Sequence, residues 1–245
     1  MVITENIKMA DVILQNHHLL AVINRFEIQL GFGDKSVKEV CEDYGINVDF
    51  FLEIINAFND PDFYPQHNLE KFSLKLIVDF LLKAHTFYLE EKIPEISSMI
   101  KQMVNNSPEQ HQKIMQMIQL FFDEYQQQLT EHIEREETVV YPYVLKLENY
   151  LQSADKSPKA YTELMKYQIE NYAEEHDNIE DKLRELKTII IKYLPAQNDY
   201  VLCYKILGQL DHLEEDMNNH SEMENKVLVP RVQIMEQIQK GLKTK

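Results

Sequence analysis

The sequence predicts an all-α protein: an antiparallel four-helix bundle preceded by a small helical N-terminal domain. Three observations carry this. The composition suits helices and starves a sheet of turns, with 5 Gly, 8 Pro and no Trp in 245 residues, alongside many Leu, Ile, Glu, Lys and Gln. Apolar residues recur at helical spacing through four long stretches, about 69–104, 109–147, 158–193 and 198–240. Only short breaker runs separate them: Asn105-Asn-Ser-Pro108, Ser153 to Pro158, and Pro195-Ala-Gln-Asn198. Short connections between long helices favour antiparallel neighbours.

Taken in order, residues 1–58 form the small N-terminal domain, with amphipathic helices expected over about 9–29, 36–43 and 48–58 and with Gly31, Gly33 and Gly45 as punctuation. Gly31-Phe-Gly33 follows no strand and belongs to no longer glycine fingerprint, so a nucleotide loop is not indicated. His17 and His18 read as solvated polar residues. Residues 59–68, Asn59-Asp-Pro-Asp-Phe-Tyr-Pro-Gln-His-Asn68, hold two prolines and break any helical period, which makes them a linker. The bundle follows over 69–245.

Charge and cysteine content narrow the function. With 25 basic against 41 acidic residues, the chain lacks the basic face that nucleic acid requires; the balance fits a soluble protein and one that holds cations. Cys41 and Cys203 are too few for a disulfide framework, so structural thiols in a reducing cytoplasm are expected. No stretch has the length or composition of a signal peptide or a membrane span.

Each bundle stretch has a seam at 4-3 spacing. The first runs Leu74, Val78, Leu81, His85, Tyr88. The second runs Ile118, Phe122, Tyr125, Leu129, His132, Glu136, Val139, Tyr143. The third is Met165, Ile169, Tyr172, His176, Ile179, Leu183, Leu186, Ile190, and the fourth is Ile206, Leu210, Leu213, Met217, His220, Glu224, Val227. Every position is apolar or aromatic except four histidines and two glutamates, which therefore point into the core. The histidines recur from 85 to 132, 132 to 176 and 176 to 220, intervals of 47, 44 and 44 residues. His132/Glu136 and His220/Glu224 each place an imidazole and a carboxylate on one helix face, about 6 Å apart along the axis. Both pairs lead to a proline at the same interval, Pro142 and Pro230. Those prolines each remove a helical hydrogen bond, so a kink or helix end is expected just past the pair.

Six buried polar groups cost several kcal/mol each unless compensated, more than a typical stability of roughly 5–15 kcal/mol tolerates. A mutual hydrogen-bond network or metal coordination compensates them. For metal, the array reads as pseudo-twofold: two ions, two histidines apiece, and Glu136 and Glu224 able to bridge. Four imidazoles with two carboxylates suit iron, with manganese or zinc as substitutes. Glu131, Glu137, Glu175 and Asp177 flank these ligands as supporting candidates. His111 and His212 read as structural or exposed, and His67 sits in the linker.

Four stretches carry a resemblance: His85-Thr-Phe-Tyr-Leu-Glu-Glu-Lys-Ile-Pro94, His132-Ile-Glu-Arg-Glu-Glu-Thr-Val-Val-Tyr-Pro142, Glu175-His176-Asp177, and His220-Ser-Glu-Met-Glu-Asn-Lys-Val-Leu-Val-Pro-Arg231. Together they resemble the haemerythrin-like domain, and more narrowly the di-iron "repair of iron centres" family that repairs iron-sulfur clusters. The resemblance implies that His85, His132, His176 and His220 are terminal iron ligands and that Glu136 and Glu224 bridge two non-haem iron ions, with an oxo or hydroxo bridge. Gly31 to Gly45 is similar to the short helical domain that precedes the bundle in that family. One departure stands out: the family's Cys-Cys pair before the glycines is replaced by Gln29 and Leu30.

The expectation is thus a cytoplasmic di-iron protein that protects or repairs iron-sulfur clusters under oxidative or nitrosative stress by donating labile iron. Damaged iron-sulfur proteins and O2, NO or peroxide are its expected partners, with no nucleic acid and no membrane, and a homodimer is possible on this reading. The alternative is a haemerythrin-like O2 or NO carrier or sensor, which commonly needs five histidines. A ferritin-like oxidase would show Glu-x-x-His pairs, which are absent.

Overall fold

A computed structural model describes residues 2–60, 63, 71–153, 164, 167–174, 179–195 and 199–242. The described residues are helical with no strand, as expected; an isolated bridge between Lys8 and Ser36 is their one β-type pairing. Contacts group the chain into two compact units, residues 1–83, 144–169 and 219–245 in one, and 84–143 and 170–218 in the other.

The first unit begins with α1 (Met9–Gln15), α2 (Leu19–Arg25), α3 (Val37–Asp43) and α4 (Val48–Asn59). The single helix expected over 9–29 is instead two. Asn16 stands between them in extended backbone, φ −142°, and its side-chain oxygen accepts the N–H of His18 at 3.1 Å. That local bond offers the chain an alternative to continuing the helix. A capping box of Ser36 and Glu39 starts α3, and Asn47 caps α4. His17 and His18 are exposed, as expected. Val22, Ile23, Phe50, Phe51 and Ile54 are buried beneath these caps.

Helix α5 (Leu74–Thr86) opens in the same unit. The Arg25 guanidinium lies 5.4 Å from the rings of both Phe58 and Phe80, a cation–π arrangement that ties the N-terminal helices to α5. Buried carboxylates satisfy two helix starts here. Glu148 accepts the Leu74 N–H at 2.7 Å, and Glu236 accepts the Ile169 N–H at 2.9 Å. Glu148 and Glu236 are 88 residues apart, the same interval that separates His132 from His220, Glu136 from Glu224 and Pro142 from Pro230. The repeat legible in the His/Glu pairs therefore extends through the prolines to the residues that cap neighbouring helices.

In the second unit, α6 (Ile93–Asn105), α7 (Gln112–Arg135), α10 (Ile179–Tyr193) and most of α11 (Tyr200–Met223) enclose one core, in which Ile96, Ile100, Ile118, Phe122, Leu183, Leu186, Ile206 and Leu210 are buried; all of α9 (Ile169–Glu174) but its first residue belongs to this unit too. Gln112 Nε2 donates to the carbonyls of Val104 and Ser107 at 3.1 and 2.9 Å, closing the α6–α7 hairpin.

Three helices pass through a π-helical turn: Phe87–Lys92, Glu136–Val140 and Glu224–Leu228. Each is closed by a bond spanning five residues, from Ile93 N–H to Tyr88, Tyr141 to Glu136, and Val229 to Glu224. The donor in every case precedes a proline, Pro94, Pro142 or Pro230. Of the kink or helix end expected just past the pairs, the helix end is corrected by this. Each helix continues, as α8 (Tyr141–Gln152) and α12 (Val229–Leu242), because the wider turn absorbs the hydrogen bond that proline does not make. The widened turn also moves the seam by one residue. Val139, expected in the core, is 42% exposed, and Val140 is fully buried instead.

Candidate metal centre

The seams deliver their polar residues to the interior. His85, Glu136 and Glu224 are at most 1% exposed, His220 is 6% exposed, and the His132 side chain is 16% exposed. His176, with Glu175, Asp177 and His67, lies outside the described residues.

Glu136 is the centre of the arrangement. As the first residue of its π turn, one helical turn beyond His132, it sets Oε1 at 3.0 Å from His132 Nε2. Its Oε2 lies 3.1 Å from Nε2 of His85, which sits in the last turn of α5. That Oε2 is buried and makes no well-directed hydrogen bond among the described residues. On its other side, His85 Nδ1 is 3.0 Å from Glu137 Oε1. In the neutral ring, a proton on Nδ1 toward Glu137 makes Nε2 the donor atom for a metal; in the protonated ring, Nε2–H points to Glu136.

The electrostatics match this packing. Burial opposes ionisation of Glu136, but the attraction of His132 and His85 outweighs it and holds the carboxyl well below the usual carboxylate range. Burial likewise opposes charge on His85, and Glu136 and Glu137 together raise its imidazole above the ordinary value.

The second repeat carries the same pair, with His220 Nε2 3.7 Å from Glu224 Oε2. Within the second unit, His85 and Glu136 offer an imidazole nitrogen and a carboxylate oxygen 3.1 Å apart, buried groups of the kind that can hold a metal ion. Neutral imidazole nitrogens and an ionised carboxylate with an orphaned oxygen are the donor set of a borderline metal such as iron or zinc. Glu137 on His85 Nδ1 completes the carboxylate–histidine pairing that accompanies metal-bound imidazoles.

Two tyrosines complete the site that sequence reasoning treated only as seam residues or not at all. The buried Tyr172 donates its hydroxyl to Glu136 Oε1 at 2.5 Å. Tyr141 lies nearly parallel to His85, centroids 5.5 Å apart at 13°, with its hydroxyl 3.4 Å from Nε2. The signal for Tyr172 was its seam position one turn before His176. The signal for Tyr141 was its place before Pro142, the point where the π turn closes.

The remaining candidates separate cleanly. Glu137 touches His85, whereas Glu131 is exposed and accepts from Gln127 at 2.8 Å. His212 is exposed and His111 half-buried in a 3-10 turn before α7. Cys41 and Cys203 are buried free thiols, and burial pushes Cys41 up to about 12. No helix of the described residues is long and apolar enough to cross a membrane.

A family model described as "Hemerythrin HHE cation binding domain" matches residues 76–232. A search of curated proteins finds no match.

Proposed function

Because the chain belongs to the hemerythrin HHE cation-binding family, we propose that it is a non-haem di-iron protein that protects or rebuilds iron-sulfur clusters after oxidative or nitrosative damage, by giving up labile iron in the cytoplasm. The observation that carries the metal part of this reading is Glu136, a buried carboxylate with an imidazole Nε2 at 3.0 Å from one oxygen and at 3.1 Å from the other. His85, His132 and Glu136 hold the first metal position in this reading; His176, His220 and Glu224 supply the repeat.

Iron bound by such a set supplies Lewis acidity and one-electron chemistry toward small ligands. The protein's own contribution is to fix the imidazoles and to limit charge compensation. Glu137 fixes the tautomer of His85 and Tyr172 fixes the plane of Glu136. Two carboxylates neutralise only part of the charge of two iron ions, which favours a centre that can release its cargo. The stretches His132 to Pro142 and His220 to Arg231 support the iron-sulfur reading by their resemblance to the repair family. The replacement of that family's cysteine pair by Gln29 and Leu30 removes vicinal thiols from any delivery route.

The test is anaerobic. Iron-loaded protein is mixed with a dehydratase whose cluster has been damaged, and reactivation is followed beside iron loss from the protein. Reactivation that tracks iron loss supports repair. Reversible O2 or NO spectra with iron retained would instead assign a carrier or sensor, and failure of the wild-type chain to bind iron would remove the metal reading altogether.

A further inference from the structure

We propose that Tyr172 is a positioning residue for Glu136, and that its hydroxyl sets how tightly the centre keeps its metal. The inference rests on the reading of Glu136 as a ligand and goes beyond it to the control of metal release.

The two oxygens of Glu136 are not equivalent. Oε1 accepts the Tyr172 hydroxyl at 2.5 Å and also lies 3.0 Å from His132 Nε2; Oε2 lies 3.1 Å from His85 Nε2. A phenol-to-carboxylate bond of this length belongs to the short, charge-assisted class, about twice as strong as a neutral one. It draws electron density toward Oε1 and fixes the rotation of the carboxylate, so that Oε2 is the oxygen presented as a donor. Tyr172 is itself held, 2% exposed on α9, so the hydroxyl cannot swing away to water. Groups that orient a ligand in this way typically change metal affinity by about 10–100-fold when removed.

The substitution Tyr172→Phe deletes the hydroxyl and keeps the ring. Iron release from the loaded full-length chain to a ferrous chelator should accelerate about 10–100-fold. The infrared carboxylate stretches that differ between loaded and iron-free protein should also shift, which a merely structural residue would not cause. Tyr125→Phe is the control: it removes a buried hydroxyl that donates to Met217 Sδ at 3.0 Å, and its release rate should equal wild type. Equal release rates and unchanged carboxylate bands in Tyr172→Phe would overturn the proposal while the wild type still binds iron. Acceleration of equal size in Tyr125→Phe would overturn it too, by showing a packing effect. A wild-type chain that binds no iron would instead remove the reading on which the proposal rests.

Discussion

The carbonyl of Glu136 accepts the N–H of Tyr141, five residues ahead, and Tyr141 in turn lies nearly parallel to His85 at 5.5 Å. One π turn therefore both presents a carboxylate and sends a ring back onto its histidine partner. The cause is covalent: Pro142 has no N–H to give, and the wider turn fits the helix around that deficit. The same relation joins Glu224 to Val229 ahead of Pro230. π turns of this kind are frequent at functional sites, and here each repeated His/Glu pair leads into one.

The first prediction tests that register. Val140 is fully buried and Val139 is 42% exposed, so Val140→Ala should cost about 1–2.5 kcal/mol while Val139→Ala stays within about 0.5 kcal/mol. Urea unfolding of the two iron-free variants measures the difference. Equal costs would mean that the helix runs through Pro142 in ordinary α register.

The seam rule found His85, Glu136, His220 and Glu224 because burial of a polar side chain among apolar ones is a periodic signal, visible in one dimension. It mispredicted Val139 because a one-residue widening of the turn changes the phase without changing composition. Tyr172 escaped for a different reason: a tyrosine in a seam looks apolar, and its hydroxyl acquires a role only when a carboxylate from another helix lies 2.5 Å away. The break at Asn16 depends on a side-chain bond to the backbone of His18, a competition that apolar spacing does not report.

The second prediction concerns Glu137. Its Oε1 is 3.0 Å from His85 Nδ1, and its side chain is 41% exposed. Glu137→Gln should lower iron affinity about 10–100-fold through the orientation and basicity of His85. With Glu137 partly exposed to solvent, its side of the pair should contribute no more than about 1 kcal/mol to stability. Competitive titration against a chelator, with thermal unfolding beside it, separates the two effects; a stability loss without an affinity change would contradict the assignment.

The third prediction is a pH dependence at Cys41. Burial raises its thiol from an ordinary 9.0 to about 12 in the folded chain. As pH rises above about 9, the unfolded chain loses the thiol proton and the folded chain keeps it, so stability falls across the window from about 9 to 12 and is fully present below it. Alkylation of Cys41 at pH 9 should accordingly proceed only at the rate of unfolding, and peptide mapping after timed exposure to iodoacetamide reads it directly. Rapid alkylation of the folded chain would show an accessible thiolate instead.

The central claim is that Glu136 is buried because it holds metal. Glu136→Gln keeps the side chain's size and removes its charge, and the measurement is iron content per chain after anaerobic loading and desalting, wild type beside variant. The account predicts about two irons in the wild type and at most about one in the variant. Equal iron content in both chains would contradict it.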